Sequence, residues 1–534
     1  MKRLITNLLI LALVAVATPV LGESTPAVPA KQETTQTIPA KTEAAPATPV
    51  KTEAAPAAPG KIEAAPAASV EKETTPVTPA KTEAAPAAPA AKEAAPPAPA
   101  KKESPPATSA KEEAAPAAPA KTEAVPAKKE TAVPGPGIAG KVVDAQTKKP
   151  IQAAAVTLGD KAVRTDKEGA FHLEGTGETL KVRAPGYAKR EIAVAEVTKG
   201  AGEIPMTPFK VKALYLTSYG LASRKLRTAV LEAVKVNNLN ALVIDVKGDN
   251  GFVPFKVDLP LVNEIGANKP ILFKDMKATV AGLKEKNLYL IARIVVFKDN
   301  PLATGKPEWA VKSKNGGFFL DRERLRWVDP FRKEVWDYNI AIAKIAAEVG
   351  FDEVQFDYVR FPDSRKCTFS QPANEETRTA AITGFLQAAY KALAPYNVMV
   401  GADIFGYVCW NTNDTDIGQK IHPAVEAVDL VCPMVYPSGY HLGIPNYRNP
   451  VQHPYKIVYL SLKKAQERTG ISPLRFRPWL QAFRDYAFGR KIFGVEEMLI
   501  QIKAVDDFGS SGWMFWNPRN VYPPSGYKQG VSEQ

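Results

Sequence analysis

From Lys210 onward the chain alternates short apolar runs with helical patterns, and this alternation narrows the fold more than any other feature. The runs are "VKALYLTSY", "ALVIDVKG", "LYLIARIVVF", "FDEVQFDYVRF", "VMVGADIFGY", "DLVCPMVYP", "RFRPWLQAF" and "GSSGWMFWNP". Strands this apolar belong in a parallel sheet, where crossover helices cover the faces. Helical periodicity fills the gaps at 226–237, 274–286, 333–349, 375–393, 451–468 and 495–508. Eight strands with intervening helices within residues 208–526 predict an α/β fold, a (β/α)8 (TIM) barrel. An open doubly wound sheet is the alternative, but no glycine-rich phosphate loop follows the first strand.

Active sites of such barrels sit at the carboxyl ends of the strands, and polar residues gather there in this sequence. Strand two offers Asp245 and Lys247, and strand three carries Arg293. Strand four ends with Gln355 and Asp357, two apart and so on one face, with Val354, Phe356 and Tyr358 turned to the helices and Arg360 at the rim. Strand five ends with Asp403, strand six with Tyr436, strand seven carries Trp479 and Gln481, and strand eight ends with Trp516 and Asn517. Aspartates on neighbouring strands, rimmed by aromatic rings, suit glycosidic bond cleavage. One carboxyl serves as acid and the other as nucleophile or base, without metal or nucleotide.

Asp357 and Asp403 are therefore the candidate catalytic pair. Asp245, Lys247, Arg293, Gln355, Arg360, Tyr436, Trp479, Gln481, Trp516 and Asn517 are the candidate substrate-binding residues. Alternatives stay open at several of them. Asp357 has a structural ion pair with Arg293 or Arg360 as its other reading, Asp245 competes with Asp403 as the second carboxyl, and Asp245 has pairing with Lys247 as its plainer role. Each aromatic residue has barrel packing as its alternative. Asp352 and Glu353 open strand four and are expected to be solvated, and Asp429 is expected at the barrel bottom.

The segments "YLTSYG", "VIDVKGDNG", "IARIVVFKD", "FDEVQFDYVRFP", "ADIFGY", "VCPMVYPSGY", "RPWLQAF" and "GWMFWNP" resemble a bacterial glycoside hydrolase family of unassigned specificity, distantly related to amylase-like barrels. The resemblance runs from about Lys210 to Tyr522. It implies a TIM-barrel glycosidase. In amylase-like barrels the nucleophile is the strand-four aspartate, which maps onto Asp357. Their acid is a strand-five glutamate, and Asp403 stands there instead, which leaves the acid role open. The competing reading is a glycan-binding or envelope scaffold barrel without catalysis.

The rest of the chain points to export. Residues 1–22 carry Lys2, Arg3 and the run "LLILALVAVA", the pattern of a secretory signal peptide, with an uncleaved anchor as the other reading. Residues 23–136 repeat units such as "KTEAAPA" with almost nothing large and apolar to bury, so a disordered spacer is expected, stiffened by proline. Residues 137–207, beginning "GIAGKVVDAQTKKPIQAAAVTLG", read as short strands between turns and resemble a carboxypeptidase regulatory-like (transthyretin-like) sandwich, a non-catalytic accessory module. Leader and spacer leave room for envelope association and predict a periplasmic, envelope or extracellular location.

The net charge of +13 fits solubility or attraction to acidic polymers. No zinc-finger spacing or RNA-binding signature supports nucleic acid as a partner; a polysaccharide or glycan is the expected one. The three cysteines form no metal cluster. Cys367 and Cys409 follow neighbouring strands, and an exported chain permits a disulfide between them, with free thiols as the other reading.

Overall fold

The computed structural model describes residues 137–200 and 202–527, so the leader and the spacer expected from the sequence lie outside the described residues. Eight strands run as β1 (Val211–Leu216), β2 (Ala241–Lys247), β3 (Tyr289–Val295), β4 (Glu353–Asp357), β5 (Met399–Phe405), β6 (Leu430–Met434), β7 (Trp479–Gln481) and β8 (Gly512–Trp516). They pair in parallel in chain order, and β8 pairs with β1 to close the barrel.

Seven helices alternate with the strands: α1 (Arg224–Val236), α2 (Met276–Lys284), α3 (Lys333–Glu348), α4 (Glu375–Leu393), α5 (Ile421–Ala427), α6 (Pro454–Thr469) and α7 (Val495–Phe508). The periodicity read in the sequence matches six of these. At seven residues, α5 is too short to display a period. α4 starts at a capping box in which Asn374 Oδ1 accepts from the Thr377 amide and Thr377 Oγ1 accepts from the Asn374 amide. Such caps satisfy amides that the first helical turn leaves without partners.

Each strand buries both faces. Leu242, Ile244, Leu290, Val354, Phe356, Ala402 and Phe515 pack outward against the helices. Ala213, Val243, Ile291, Met399, Cys432 and Met514 fill the barrel interior. Filling such positions with aliphatic side chains contributes about 1.5–3 kcal/mol per residue.

The module before the barrel has two sheets around one core. One joins Ala170–Leu173, Ile138–Asp144 and Glu203–Met206; the other joins Lys161–Arg164, Ala155–Leu158, Thr179–Arg183 and Arg190–Ala193. Val142, Val156, Leu180, Val182 and Ile204 lie between them. The module sits on the amino-terminal end of the barrel strands. Arg183 Nε donates to Asp429 Oδ2 at 3.0 Å, and Lys189 pairs with Asp352 at 3.3 Å.

This docking corrects the expectation that Asp352 and Glu353 are solvated. Lys189 and Lys284 both pair with Asp352. Glu353 points into the barrel floor, where it is fully buried against Arg477 and Tyr289.

Candidate active site

The inward column of β4 sets the layers of the barrel. Glu353 forms the floor, Gln355 the middle and Asp357 the top, because alternate strand residues share a face. At the top, Arg293 from β3 gathers three carboxylates. Its Nε donates to Asp357 Oδ2 at 2.8 Å, its Nη1 to Asp245 Oδ1 at 2.7 Å and its Nη2 to Asp249 Oδ1 at 2.6 Å. A planar guanidinium with five fixed donors is the side chain suited to such a hub. Asp357 Oδ1 also accepts from the Tyr358 amide at 2.6 Å, and Asp245 Oδ2 accepts from the Tyr215 hydroxyl at 2.6 Å. Burial raises Asp245 from its ordinary range to about 6, with Arg293 opposing that rise and Asp249 adding to it.

Asp403, from β5, has different surroundings. Its Oδ1 accepts from Trp479 Nε1 at 2.9 Å, and its Oδ2 has no hydrogen-bond partner. Burial, reinforced by the charge of Asp357, holds its carboxyl well above the usual range. Asp403 and Asp357 line one cavity of about 190 Å³. Trp479, Trp516, Tyr436, Tyr358 and Phe405 supply its aromatic lining, and Tyr215 backs Trp516. Tyr215 and Trp516 stack at 3.8 Å and 17°, and Trp479 meets Trp516 edge-on at 5.5 Å. Arg293 lies over the Trp516 ring at 4.7 Å, which adds a cation–π contact to its ion pairs.

The cavity brings together Asp357, Asp403, Arg293, Arg360, Tyr436, Trp479 and Trp516 from the sequence-predicted set. Asp245 stands behind it, joined through Arg293 and Tyr215. Four candidates do not reach it. Lys247 turns out of the barrel because the β2–β3 register shifts between Arg293 and Ile294. Its ammonium pairs with Asp299 at 2.6 Å and donates to Asn339 and to the Val295 carbonyl, so Asp245 and Lys247 do not pair with each other.

Gln355 lies one layer too deep, donating to Glu353 Oε1 at 2.7 Å between Cys432 and Met514. Gln481 binds Ser438 and the Phe483 carbonyl, tying two loops together. Asn517 donates to the carbonyls of Ala482 and Val521 and holds the turn after β8. The disulfide left open between Cys367 and Cys409 is not formed, and all three cysteines are free. The segment at Cys367 pairs instead with Lys312–Ser313, which draws it toward the β3–α3 loop, while Cys409 lies in the turn after β5.

Residues 213–522 match the family described as "Putative glycosyl hydrolase domain". The chain belongs to this family. No curated protein matches the chain. Solved structures similar to it include the following. A hypothetical protein from Ruminiclostridium thermocellum is 39% identical, covering 36% of this chain and 96% of its own, with a TM-score of 0.32. The PgaB (BpsB) glycoside hydrolase domain from Bordetella bronchiseptica is 14% identical, covering 59% and 95%, with a TM-score of 0.41. The catalytic domain of a beta-amylase from Paenibacillus polymyxa is 12% identical, covering 60% and 95%, with a TM-score of 0.38. The family match carries the assignment.

In this glycosyl hydrolase domain the cavity also holds residues absent from the sequence-predicted set. Tyr358 has a positive φ of 47°, which swings its ring to the cavity rather than to the helices as strand alternation predicts. Phe405 and Met434 end β5 and β6, and their place at strand ends was the signal for them. Gln419 comes from the loop before α5, where no periodicity marks it. It accepts from the Phe405 amide and donates to the carbonyls of Asp403 and Val359. Asp249, the third carboxylate on Arg293, follows β2 by two residues.

Proposed function

We propose that this chain is an exported glycoside hydrolase acting on a polysaccharide or envelope glycan, with Asp357 and Asp403 as its working carboxyls. One observation carries the reading. Two aspartates line one aromatic-walled cavity in opposite electrostatic settings, Asp357 ion-paired with Arg293 and Asp403 raised by burial with a free carboxyl oxygen. A carboxyl whose proton is held by its surroundings is suited to act as acid beside a second carboxyl that acts as base or nucleophile.

Asp403 gives its proton to the glycosidic oxygen as the bond to the anomeric carbon breaks. The Asp357 carboxylate supplies the electron pair to that carbon, directly or by deprotonating a water. Trp479 holds the Asp403 carboxyl in place, and Tyr436 and Trp516 supply aromatic surface at the cavity against which a sugar ring can pack. Arg293 fixes Asp357 and tempers its charge until substrate arrives. The module at 137–207 is read, from the resemblance of its sequence, as a transthyretin-like accessory to the barrel.

The test is hydrolysis of a panel of bacterial polysaccharides by the full chain and by Asp357→Asn. Turnover should fall by at least about 10³-fold, with thermal unfolding little changed. Full activity in the variant would reject the assignment, and binding without hydrolysis in the wild type would favour a glycan-binding barrel.

A further inference from the structure

The catalytic cavity is small for a polymer. At about 190 Å³ it lies below the roughly 300–1,000 Å³ of pockets that enclose a drug-sized ligand. A polysaccharide must run on beyond it, and the aromatic wall shows a direction. Tyr436 in the cavity meets Phe483 edge-on at 5.3 Å, and Phe483 lies parallel to Tyr486 at 6.1 Å and 7°. Tyr486 is 68% exposed.

These rings lead into a second cavity of about 600 Å³, built from the loops after β7 and β8. Arg484, Arg490 and Arg519 line it, all exposed and none with an ion-pair partner among the described residues. Its one acid, Asp485, is buried and engaged by Ser438 Oγ and by the amides of Ala487, Phe488 and Arg490. The groove therefore presents three cations and an exposed ring, with no carboxylate among its described lining residues free to oppose them.

We propose that this groove is a binding subsite for the next units of the glycan, and that those units carry carboxylate or other anionic groups. Arginine recognises planar carboxylates through paired donors, and a flat ring stacks on the apolar face of a sugar. The anionic groups belong outside the catalytic cavity, because there Arg293 is already engaged by Asp357, Asp245 and Asp249, and Arg360 is half-buried over the Trp327 and Tyr358 rings and donates to the Phe361 carbonyl. The subsite rests on the glycan reading of the barrel mouth but not on which carboxyls catalyse.

The experiment is calorimetric titration of full-length Asp357→Asn protein, which removes turnover from the readout. The probes are hexasaccharides of galacturonate, mannuronate and hyaluronan, with cellohexaose and maltohexaose as neutral partners. At least one acidic probe should bind about tenfold or more tightly than both neutral ones, and the difference should shrink as salt shortens the screening length.

The triple variant Arg484→Gln, Arg490→Gln, Arg519→Gln should lose about tenfold for the acidic probe and little for the neutral ones. Tyr486→Ala should lose about fivefold for the acidic probe. Equal binding of acidic and neutral probes, no binding of any acidic probe, or no effect of the arginine changes overturns the subsite. So does a single-stranded oligonucleotide that displaces the acidic hexasaccharides at equal charge. Acidic probes binding as expected to a chain whose Asp357→Asn form still hydrolyses glycan would leave the groove standing and remove the catalytic assignment.

Discussion

Asp403 presents one carboxyl oxygen to the Trp479 indole, and its other oxygen is buried without a hydrogen-bond partner beside the cavity that the residue lines. A group that donates its proton to the leaving oxygen matters most when that oxygen is a poor leaving group. Asp403→Asn should slow hydrolysis of the natural glycan by about 10²–10⁴-fold, yet slow a dinitrophenyl glycoside of the same sugar by less than about tenfold. Equal losses on both substrates would make Asp403 a positioning residue. Because burial beside Asp357 raises Asp403, kcat/KM on the glycan should fall on the alkaline side as that proton is lost, and the limb should disappear in the variant.

Asp245 makes a separate prediction about stability. Its carboxyl is raised from 3.8 to about 6, so the folded chain holds this proton more tightly than the unfolded chain does. The stabilisation is full below pH 4 and is lost as pH rises through about 6. The loss is at most about 3 kcal/mol, shared with the carboxylates that meet Asp245 at Arg293. Asp245→Asn keeps an acceptor for Arg293 but cannot titrate. Urea midpoints measured from pH 4 to 7 should therefore show the wild type losing ground to this variant as pH rises. Parallel curves would place the titration elsewhere.

At the scale of elements, closure of the barrel depends on the meeting of β8 and β1. Gly512 opens β8 with a φ of 123°, and a Cβ there would lie 1.9 Å from the Val211 carbonyl oxygen. Gly512→Ala meets both backbone strain and a clash with an atom that cannot move aside. It should cost on the order of 3 kcal/mol or more, read as a drop in thermal midpoint. Gly282, inside α2 with nothing within 4 Å of its would-be Cβ, is the control, and Gly282→Ala should hold or raise the midpoint.

The same elements explain what was legible in the sequence. All eight barrel strands were readable because burial on both faces leaves an apolar run, and the long helices because amphipathic spacing survives over several turns. Strand alternation also placed Asp357 on the inner face together with Gln355. It failed where the register slips at Arg293 and Ile294, which turns Lys247 away, and at the positive φ of Tyr358, which turns that ring inward. Depth was hidden as well. Gln355 and Asp357 share a face, and only the three-dimensional layers show that Gln355 lies beneath the cavity.

For the molecule as a whole, the contact between the amino-terminal module and the barrel floor is the feature with the largest consequence. Arg183 is fully buried and pairs with Asp429, which also accepts from the Tyr390 hydroxyl and the Val400 amide. Arg164 reinforces the seam by donating to Tyr390 and to the Val428 carbonyl. Removing one partner of a buried pair costs about 3–5 kcal/mol, because the other charge stays desolvated. Asp429→Ala strands Arg183 at the seam rather than in either core, so the cost falls on the docking of module and barrel. Scanning calorimetry of the wild type should give one transition for the two units, and Asp429→Ala should split it, with the module melting first. The paired change Arg183→Met with Asp429→Leu removes both charges and should recover most of the loss. A single transition in Asp429→Ala, moved as a whole, would show that the seam adds stability without setting cooperativity.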